Sequence, residues 1–207
     1  MKNLYWLSIA FGLVVSGFFF VDRRFTEVGL IGALICAGLT LGLGFWWFRP
    51  RPIWQGILWG ALAQPVVVSL NNQMVGISNK LGITHLDAAL YSPLPEETIK
   101  LLGVVIIVAA FKNVRHPYQA AAIGMAIGLG FDAMENVPFI LHAAIDNLDG
   151  GLWGVIITGI GRFFVGAFSH ALYTGVAAWG VGKLYAGARH GYWPVSYTHL
   201  TLPTKRI

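Results

Sequence analysis

The sequence predicts an all-α fold, a polytopic transmembrane helical bundle of about six spans. Of its 207 residues, 56% are apolar and only 11% are charged, whereas about a quarter of the residues in an average soluble domain are charged. The apolar residues form long runs and do not alternate with polar residues as they do in the strands of a membrane barrel. Because lipid offers the backbone no hydrogen-bond partner, each run is expected to be helical.

Six runs approach the ~20 residues that a helix needs to cross a bilayer. The first has only Lys2 as a charged residue before it and no small-residue cleavage site, which favours a retained helix over a signal peptide. The fourth is short and opens with two carboxylates, and the sixth follows a less regular stretch. In chain order the predicted spans cover residues 4–21, 28–48, 53–75, 96–111, 118–141 and 162–186.

Residues 1–195 are expected to form one membrane-embedded domain, whose motif-bearing core covers about residues 92–182. The single cysteine, Cys36, excludes an intramolecular disulfide. Residues 196–207 differ sharply from the rest and resemble translated sequencing-adaptor read-through, so they are expected to be non-native and His199 is assigned no role. Glycines four residues apart predict close contacts between helix backbones; these pairs are Gly38/Gly42, Gly56/Gly60 and Gly124/Gly128.

The basic residues predict the orientation of the bundle. The formal charge is +5, but Lys and Arg lie singly or in pairs between apolar runs, which is typical of topology signals and not of a nucleic-acid-binding surface. The positive-inside rule places the more basic side, and with it both termini, in the cytoplasm. That side carries Lys2, Arg49, Arg51, Lys112, Arg115, Lys183 and Arg189; the other carries Arg23, Arg24 and Lys80 with Asp22, Glu27, Asp87, Asp146 and Asp149.

Ionisable residues inside the spans are the candidates for chemistry, because they are costly to place in lipid. Counted at about 3.6 residues per turn, Glu97 lies in the first turn of span four, and Glu135 lies about two turns before the end of span five. His170 lies about two turns into span six. The three are therefore expected to meet in the outer half of the bilayer. The full set is Glu96, Glu97, Lys100, Asp132, Glu135, Arg162 and His170.

Each of these residues taken alone also has a structural explanation. Acidic residues that follow Pro95 suit the positive end of a helix dipole, and Glu97 with Lys100 could form an ion pair on a helix surface. His170 could join two helices by a polar contact, and Arg162 could reach the outer headgroups. Their combination on three helices favours a site over these separate explanations.

Three motifs in a fixed order carry a resemblance to a known family. They are EETIK at residues 96–100, FDAMEN at residues 131–136, and Arg162 with His170 in the last span. Residues 92–182 thereby resemble the PrsW family of intramembrane proteases, distant relatives of the CAAX-processing and bacteriocin-processing membrane proteases. The resemblance implies an endopeptidase of the bacterial inner membrane that cleaves a single-span protein, such as an anti-sigma factor, near its extracytoplasmic face.

Two mechanisms stay open. In the first, Glu97 or Glu135 activates water, since a carboxylate shielded from bulk water binds protons more readily, and His170 with Asn136 stabilises the oxyanion. In the second, Glu97, Glu135 and His170 hold Zn²⁺ and leave a coordination position for water. The roles of Asp132 and Arg162 are not predicted. The predicted catalytic residues are Glu96, Glu97, Lys100, Glu135, Asn136 and His170.

Other functions fit the sequence less well. A serine protease needs a base on another helix, but Ser169 adjoins His170 and points about 100° away from it. An aspartyl protease needs a second buried aspartate beside Asp132. A non-catalytic membrane scaffold is the main rival, and a proton-coupled transporter is third because buried Glu, Lys and His also form proton relays. Retention of every motif residue argues against the scaffold, and the lack of internal repeats argues against the transporter.

Overall fold

The computed structural model describes residues 1–21, 26–47, 53–83, 93–111, 116–146 and 151–185, and every regular element within these ranges is a helix. The described chain forms six helices: α1 (Lys2–Val21), α2 (Glu27–Trp47), α3 (Ile53–Leu81), α4 (Pro93–Phe111), α5 (Pro117–Asp146) and α6 (Leu152–Tyr185). The predicted all-α bundle of about six spans is confirmed. The predicted read-through segment, residues 196–207, lies outside the described residues.

The helix surfaces show that lipid is the solvent of this bundle. α3 and α6 are long and apolar enough to cross a membrane by length and composition alone. α4 and α5 are interrupted by the ionisable residues of the motifs. Large apolar side chains face outward on α1, α2 and α6; Phe18, Leu34 and Val165 are 76%, 65% and 72% exposed. Water would solvate such a continuous surface poorly.

α5 is the centre of the bundle and packs against α2, α3, α4 and α6. Its Ile123, Ile127 and Phe131 are almost fully buried in the main apolar core. α1 covers α3 and α4, where the buried Tyr5 hydroxyl donates a hydrogen bond to the Gln55 carbonyl at 3.0 Å. α4, α5 and α6 contact one another in all three pairs, so polar residues of the three helices can meet.

The start of the sixth helix differs from the prediction. α6 begins at Leu152 and not at Arg162, so Arg162 lies inside a helix of 34 residues. The charge of Arg162 suggested a membrane boundary, but its guanidinium is paired with Glu135 and can therefore lie within the bundle. α3 and α5 also extend beyond the predicted spans, to Leu81 and Asp146.

Glycines at the helix crossings let α5 approach its neighbours closely. A Cβ atom at Gly60 of α3 would meet the backbone of Ile127, and one at Gly128 of α5 would meet the backbone of His170. These crossings are the contacts that four-residue glycine spacing predicts. Among the predicted pairs, Gly56/Gly60 and Gly124/Gly128 lie at crossings, whereas a Cβ at Gly38 or Gly42 would have no neighbour within 4 Å among the described residues.

Gly60→Ala is expected to destabilise the bundle, because its methyl group would overlap the Ile127 backbone and force α3 away from α5. Overpacking of this kind typically costs about 1–3 kcal/mol. Gly76→Ala is the matched control on the same helix, since a Cβ atom there has open space. Thermal unfolding in detergent should show a lower midpoint for Gly60→Ala alone. Equal midpoints for the two variants would contradict the close contact between α3 and α5.

Candidate active site

The first turns of α4 carry a buried cluster of charges. Lys100 is fully buried, and its Nζ lies 2.9 Å from Glu97 Oε1 and 3.8 Å from Glu96 Oε2. Residues three and four positions apart share one helix face, so both carboxylates reach the same ammonium group. Trp59 of α3 holds this part of α4, since its indole Nε1 donates a hydrogen bond to the Ile99 carbonyl at 3.1 Å.

His170 of α6 connects α4 to α5. Its Nδ1 lies 2.9 Å from Lys100 Nζ, and its Nε2 lies 3.1 Å from Glu135 Oε2. An ammonium group can only donate hydrogen bonds, so Nδ1 accepts from Lys100 and Nε2 carries the proton that is donated to Glu135. The imidazole is therefore held in one tautomer and one orientation between a cation and a carboxylate.

Arg162 and Asn136 extend the contacts to Asp132. Arg162 Nη2 donates to Glu135 Oε2, and Arg162 Nε donates to Asn136 Oδ1 at 2.6 Å. The Asn136 amide in turn donates to Asp132 Oδ2 at 2.9 Å. Both Asn136 and Asp132 are fully buried. A continuous polar network, built by α4, α5 and α6, therefore runs from Glu97 to Asp132.

Two aromatic rings of α5 support the cations of this network. Lys100 Nζ lies 4.3 Å from the centroid of the Phe131 ring, and Arg162 Cζ lies 4.2 Å from that of Phe139. Both distances allow cation–π attraction, which is stronger when the cation is removed from water. The Phe131 and His170 rings are also neighbours, with centroids 5.4 Å apart. The phenylalanine of the FDAMEN motif thus contacts both Lys100 and His170.

Residue spacing explains why the side chains of α5 and α6 share one space. Arg162, Gly166 and His170 are four positions apart and lie on one face of α6. Asp132 and Glu135 are three positions apart and lie on one face of α5. Gly166 leaves room for the Asp132 carboxylate between Arg162 and His170, because a Cβ atom at Gly166 would overlap Asp132 Oδ1.

Two overlapping groups of side chains could hold a metal ion. In one group, Glu96, Glu97 and His170 offer ligand atoms that lie within 4.8 Å of one another; in the other, Asp132, Glu135 and His170 do so. The metal ligands predicted from the sequence are divided between them, since Glu97 belongs to the first group and Glu135 to the second. His170 is common to both.

The network contains all the predicted catalytic residues and several others. Asn136 is fully buried, and its side-chain amide contacts Arg162 and Asp132. Asp132 and Arg162, whose roles the sequence left open, are members of the network. The sequence pattern does not indicate Phe139, and it indicates Gly166 only through its position four residues from both Arg162 and His170. The predicted residues present are Glu96, Glu97, Lys100, Glu135, Asn136 and His170.

The network lies farther along α6 than the sequence predicts. His170 lies about five turns after the start of α6 at Leu152, and not about two turns after a start at Arg162. The part of α6 between Leu152 and His170 carries exposed apolar side chains, including Trp153 and Ile157, which are 67% and 69% exposed. Since such a surface needs lipid, the apolar layer extends well beyond the network on this side.

An apolar cavity of about 580 Å³ lies beside the network, between α2 and α6. Aliphatic and aromatic side chains and Cys36 line it, so it offers no carboxylate or imidazole for catalysis. Phe163, one of its lining residues, directly follows Arg162 in α6. The polar network, and not this cavity, therefore contains the groups able to do acid–base or metal chemistry.

Comparison with known proteins adds an independent finding. A sequence model described as PrsW family intramembrane metalloprotease matches residues 50–203. This range contains α3 to α6 and every residue of the polar network. No curated protein and no solved structure matches the chain.

Proposed function

Because the chain belongs to the PrsW family of intramembrane metalloproteases, we propose that this membrane-embedded peptidase cleaves a single-span membrane protein with water activated at the polar network. One observation carries the proposal: the His170 imidazole joins the Lys100–Glu97 pair of α4 to Glu135 of α5. Charged groups are costly inside a membrane, so a network drawn from three helices favours a chemical function over a structural one.

Glu97 is the proposed general base. Its side chain is 21% exposed, so a water molecule can reach it, and Lys100 holds its Oε1 in place at 2.9 Å. Arg162 is the proposed cation for the developing charge on the scissile carbonyl oxygen. Its side chain is 25% exposed, and its guanidinium has further N–H groups beyond those used by Glu135 and Asn136. Asn136 then acts as a positioning residue for Arg162.

Glu135 and His170 are the proposed holders of the metal ion that the family description implies. Imidazole and carboxylate groups are the zinc ligands of many hydrolases, so the donor atoms present fit this ion. When bound, such an ion supplies Lewis-acid polarisation of the scissile carbonyl and a more acidic water molecule. The aromatic ring of Phe131 beside His170 limits the movement of the imidazole.

The proposed substrate is a single transmembrane helix of an anti-sigma-factor-like protein in the bacterial inner membrane. Cleavage is proposed near the extracytoplasmic face because Glu97 lies in the first turns of α4, and α4 begins on the outer side in the proposed topology. Peptide bonds in a helix are engaged in hydrogen bonds, so the substrate must unwind locally to present its scissile carbonyl. Helix-breaking residues near the cleaved bond are therefore expected to favour cleavage.

Reconstitution tests the proposed function. Purified protein in proteoliposomes is incubated with a panel of single-span membrane proteins, and the products are located by mass spectrometry. Cleavage within a transmembrane segment, absent with the Glu97→Gln variant and lost after chelation, would support a metallopeptidase. If the wild-type protein cleaves no member of a broad panel, the scaffold hypothesis becomes the better explanation.

Both termini are proposed to lie in the cytoplasm, as the distribution of basic residues favours. His116 and Asp146 are exposed and lie at opposite ends of α5. Single cysteines at these positions, in a Cys36→Ala background, should react with a membrane-impermeant thiol reagent from opposite sides. The cysteine at position 146 should be labelled from outside the cell. Labelling of both from the same side would rule out this topology.

A further inference from the structure

We propose that Asp132 is the third protein ligand of a divalent metal ion held by Glu135 and His170, and that Glu97 is not a ligand. The inference rests on the proposed metallopeptidase function and assigns the metal to one of the two candidate groups. Asp132, Glu135 and His170 offer ligand atoms within 4.8 Å of one another. Four observations on the same network favour this group.

A lysine ammonium already occupies the other group. Lys100 Nζ lies 2.9 Å from Glu97 Oε1, 2.9 Å from His170 Nδ1 and 3.8 Å from Glu96 Oε2. This internal cation lies where a metal bound by those three residues would have to lie. Because Lys100 is fully buried, its withdrawal would require repacking of α4. Glu97 is therefore held by a cation of the chain itself and stays available as a base.

One oxygen of the Asp132 carboxylate supports its assignment as a ligand. The side chain is fully buried, and Oδ1 has no hydrogen-bond partner among the described residues. A buried carboxylate oxygen without a partner is unfavourable, and a bound cation would satisfy it. The other oxygen, Oδ2, accepts a hydrogen bond from Asn136 at 2.9 Å. Such outer contacts typically orient the carboxylates that bind metals.

The backbone of α6 makes room for this carboxylate. A Cβ atom at Gly166 would overlap Asp132 Oδ1, so the oxygen lies directly against the glycine. Gly166 shares one helix face with His170, whose Nε2 points toward Glu135 at 3.1 Å. This nitrogen gives up its proton when it binds a metal, as imidazole ligands do. The glycine therefore allows Asp132 to join the two proposed ligands.

The charge of the network also favours a divalent cation. In its described part the carboxylates exceed the cations by two when His170 is neutral, and uncompensated charge in an apolar environment is strongly unfavourable. One divalent ion at Asp132 and Glu135 would restore the balance. One nitrogen and two oxygens also leave a fourth tetrahedral position for water. The carboxylates are Glu96, Glu97, Asp132 and Glu135, and the cations are Lys100 and Arg162.

Zinc binding by the full-length protein in detergent tests the assignment separately from activity. Chelator-treated protein is titrated with Zn²⁺, bound zinc is measured by atomic emission, and the thermal midpoint is measured with and without zinc. The wild-type protein should bind zinc and gain thermal stability from it. Asp132→Asn should weaken zinc binding by more than ~10-fold, the smallest loss that is typical when a residue that only orients a metal ligand is replaced. Glu97→Gln, which removes the same charge from the other group, should weaken it by less.

A second pair of variants changes no ligand. Gly166→Ala crowds Asp132 Oδ1 and should weaken zinc binding in the same direction as Asp132→Asn. Gly161→Ala is its matched control on α6, because a Cβ atom at Gly161 has open space, and this variant should bind zinc like the wild-type protein. The midpoints without zinc show whether each variant is folded.

Each outcome decides the assignment. If Glu97→Gln loses zinc and Asp132→Asn retains it, Glu97 and not Asp132 is the third ligand. If the wild-type protein binds no zinc, the proposed metal site is wrong. Substrate cleavage is measured on the same preparations. Cleavage without zinc would support the peptidase function and contradict the metal site. Zinc binding that depends on Asp132, without cleavage of any substrate, would support the metal site and contradict the peptidase function.

Discussion

Glu97→Gln is expected to lower the rate of substrate cleavage by at least ~10²-fold, the loss typical of removing a general base. Glutamine keeps the size of the side chain and can still accept a hydrogen bond from Lys100, which lies 2.9 Å from Glu97 Oε1. It cannot take a proton from water. Initial rates in proteoliposomes measure the effect, and a cooperative thermal unfolding transition would show that the variant is folded.

Glu135→Gln should reduce cleavage by a similar factor for a different reason. It removes the anionic charge that faces Arg162 and His170 and that a metal ion prefers. Ser169→Ala and Cys36→Ala are the controls and should stay nearly fully active. The Ser169 hydroxyl donates to a carbonyl of its own helix at 3.0 Å, and Cys36 lines the apolar cavity. Full activity in both glutamine variants would refute water activation by these carboxylates.

Lys100→Met is expected to lower the free energy of unfolding by about 3 kcal/mol, near the lower end of the cost of breaking a buried ion pair. Lys100 is fully buried, and it contacts Glu97, His170 and the Phe131 ring. Methionine fills much of the same volume but leaves the Glu97 carboxylate without its cation. Equilibrium denaturation in mixed micelles measures the change.

A double-mutant cycle separates the charge effect from packing. Glu97→Gln added to Lys100→Met should restore part of the lost stability, because the carboxylate that lacks a cation is then removed. Lys80→Met at the exposed end of α3 is the control and should change stability by no more than about 0.5 kcal/mol. If Lys100→Met is as stable as Lys80→Met, the buried ammonium does not hold the amino-terminal part of α4 in place.

The helical bundle could be predicted because lipid leaves few alternatives. Only 11% of the residues are charged, and backbone groups in an apolar layer must be paired within each span. The sequence predicts the start of α6 incorrectly, at Arg162, because a charged residue usually marks the limit of an apolar span. The contacts of Arg162 with Glu135 and Asn136 allow it to lie inside the helix. The residue that pairs with a charged side chain is set by the tertiary structure and cannot be read from the local sequence.

The candidate residues were also recognisable in the sequence, because ionisable groups inside spans are rare. Equal depth in the membrane predicts where they meet, but the depth of His170 depends on the start of α6, which lies at Leu152 and not at Arg162. The side chains nevertheless lie together because α5 and α6 approach closely at Gly128 and because Arg162 and His170 share one face of α6 with Gly166. Packing, and not equal distance from a membrane surface, brings them together.

By itself the sequence determined that this is a membrane bundle of about six helices and singled out the ionisable residues that lie together in the structure, since both follow from the cost of charge and unpaired backbone in lipid. Only the tertiary structure decided how those residues pair. It placed Lys100 between Glu97 and His170, and it left Asp132 with a buried oxygen beside the other candidate ligands. These pairings depend on contacts among α4, α5 and α6. The spacing of residues within one helix does not specify which side chain of a neighbouring helix each residue contacts.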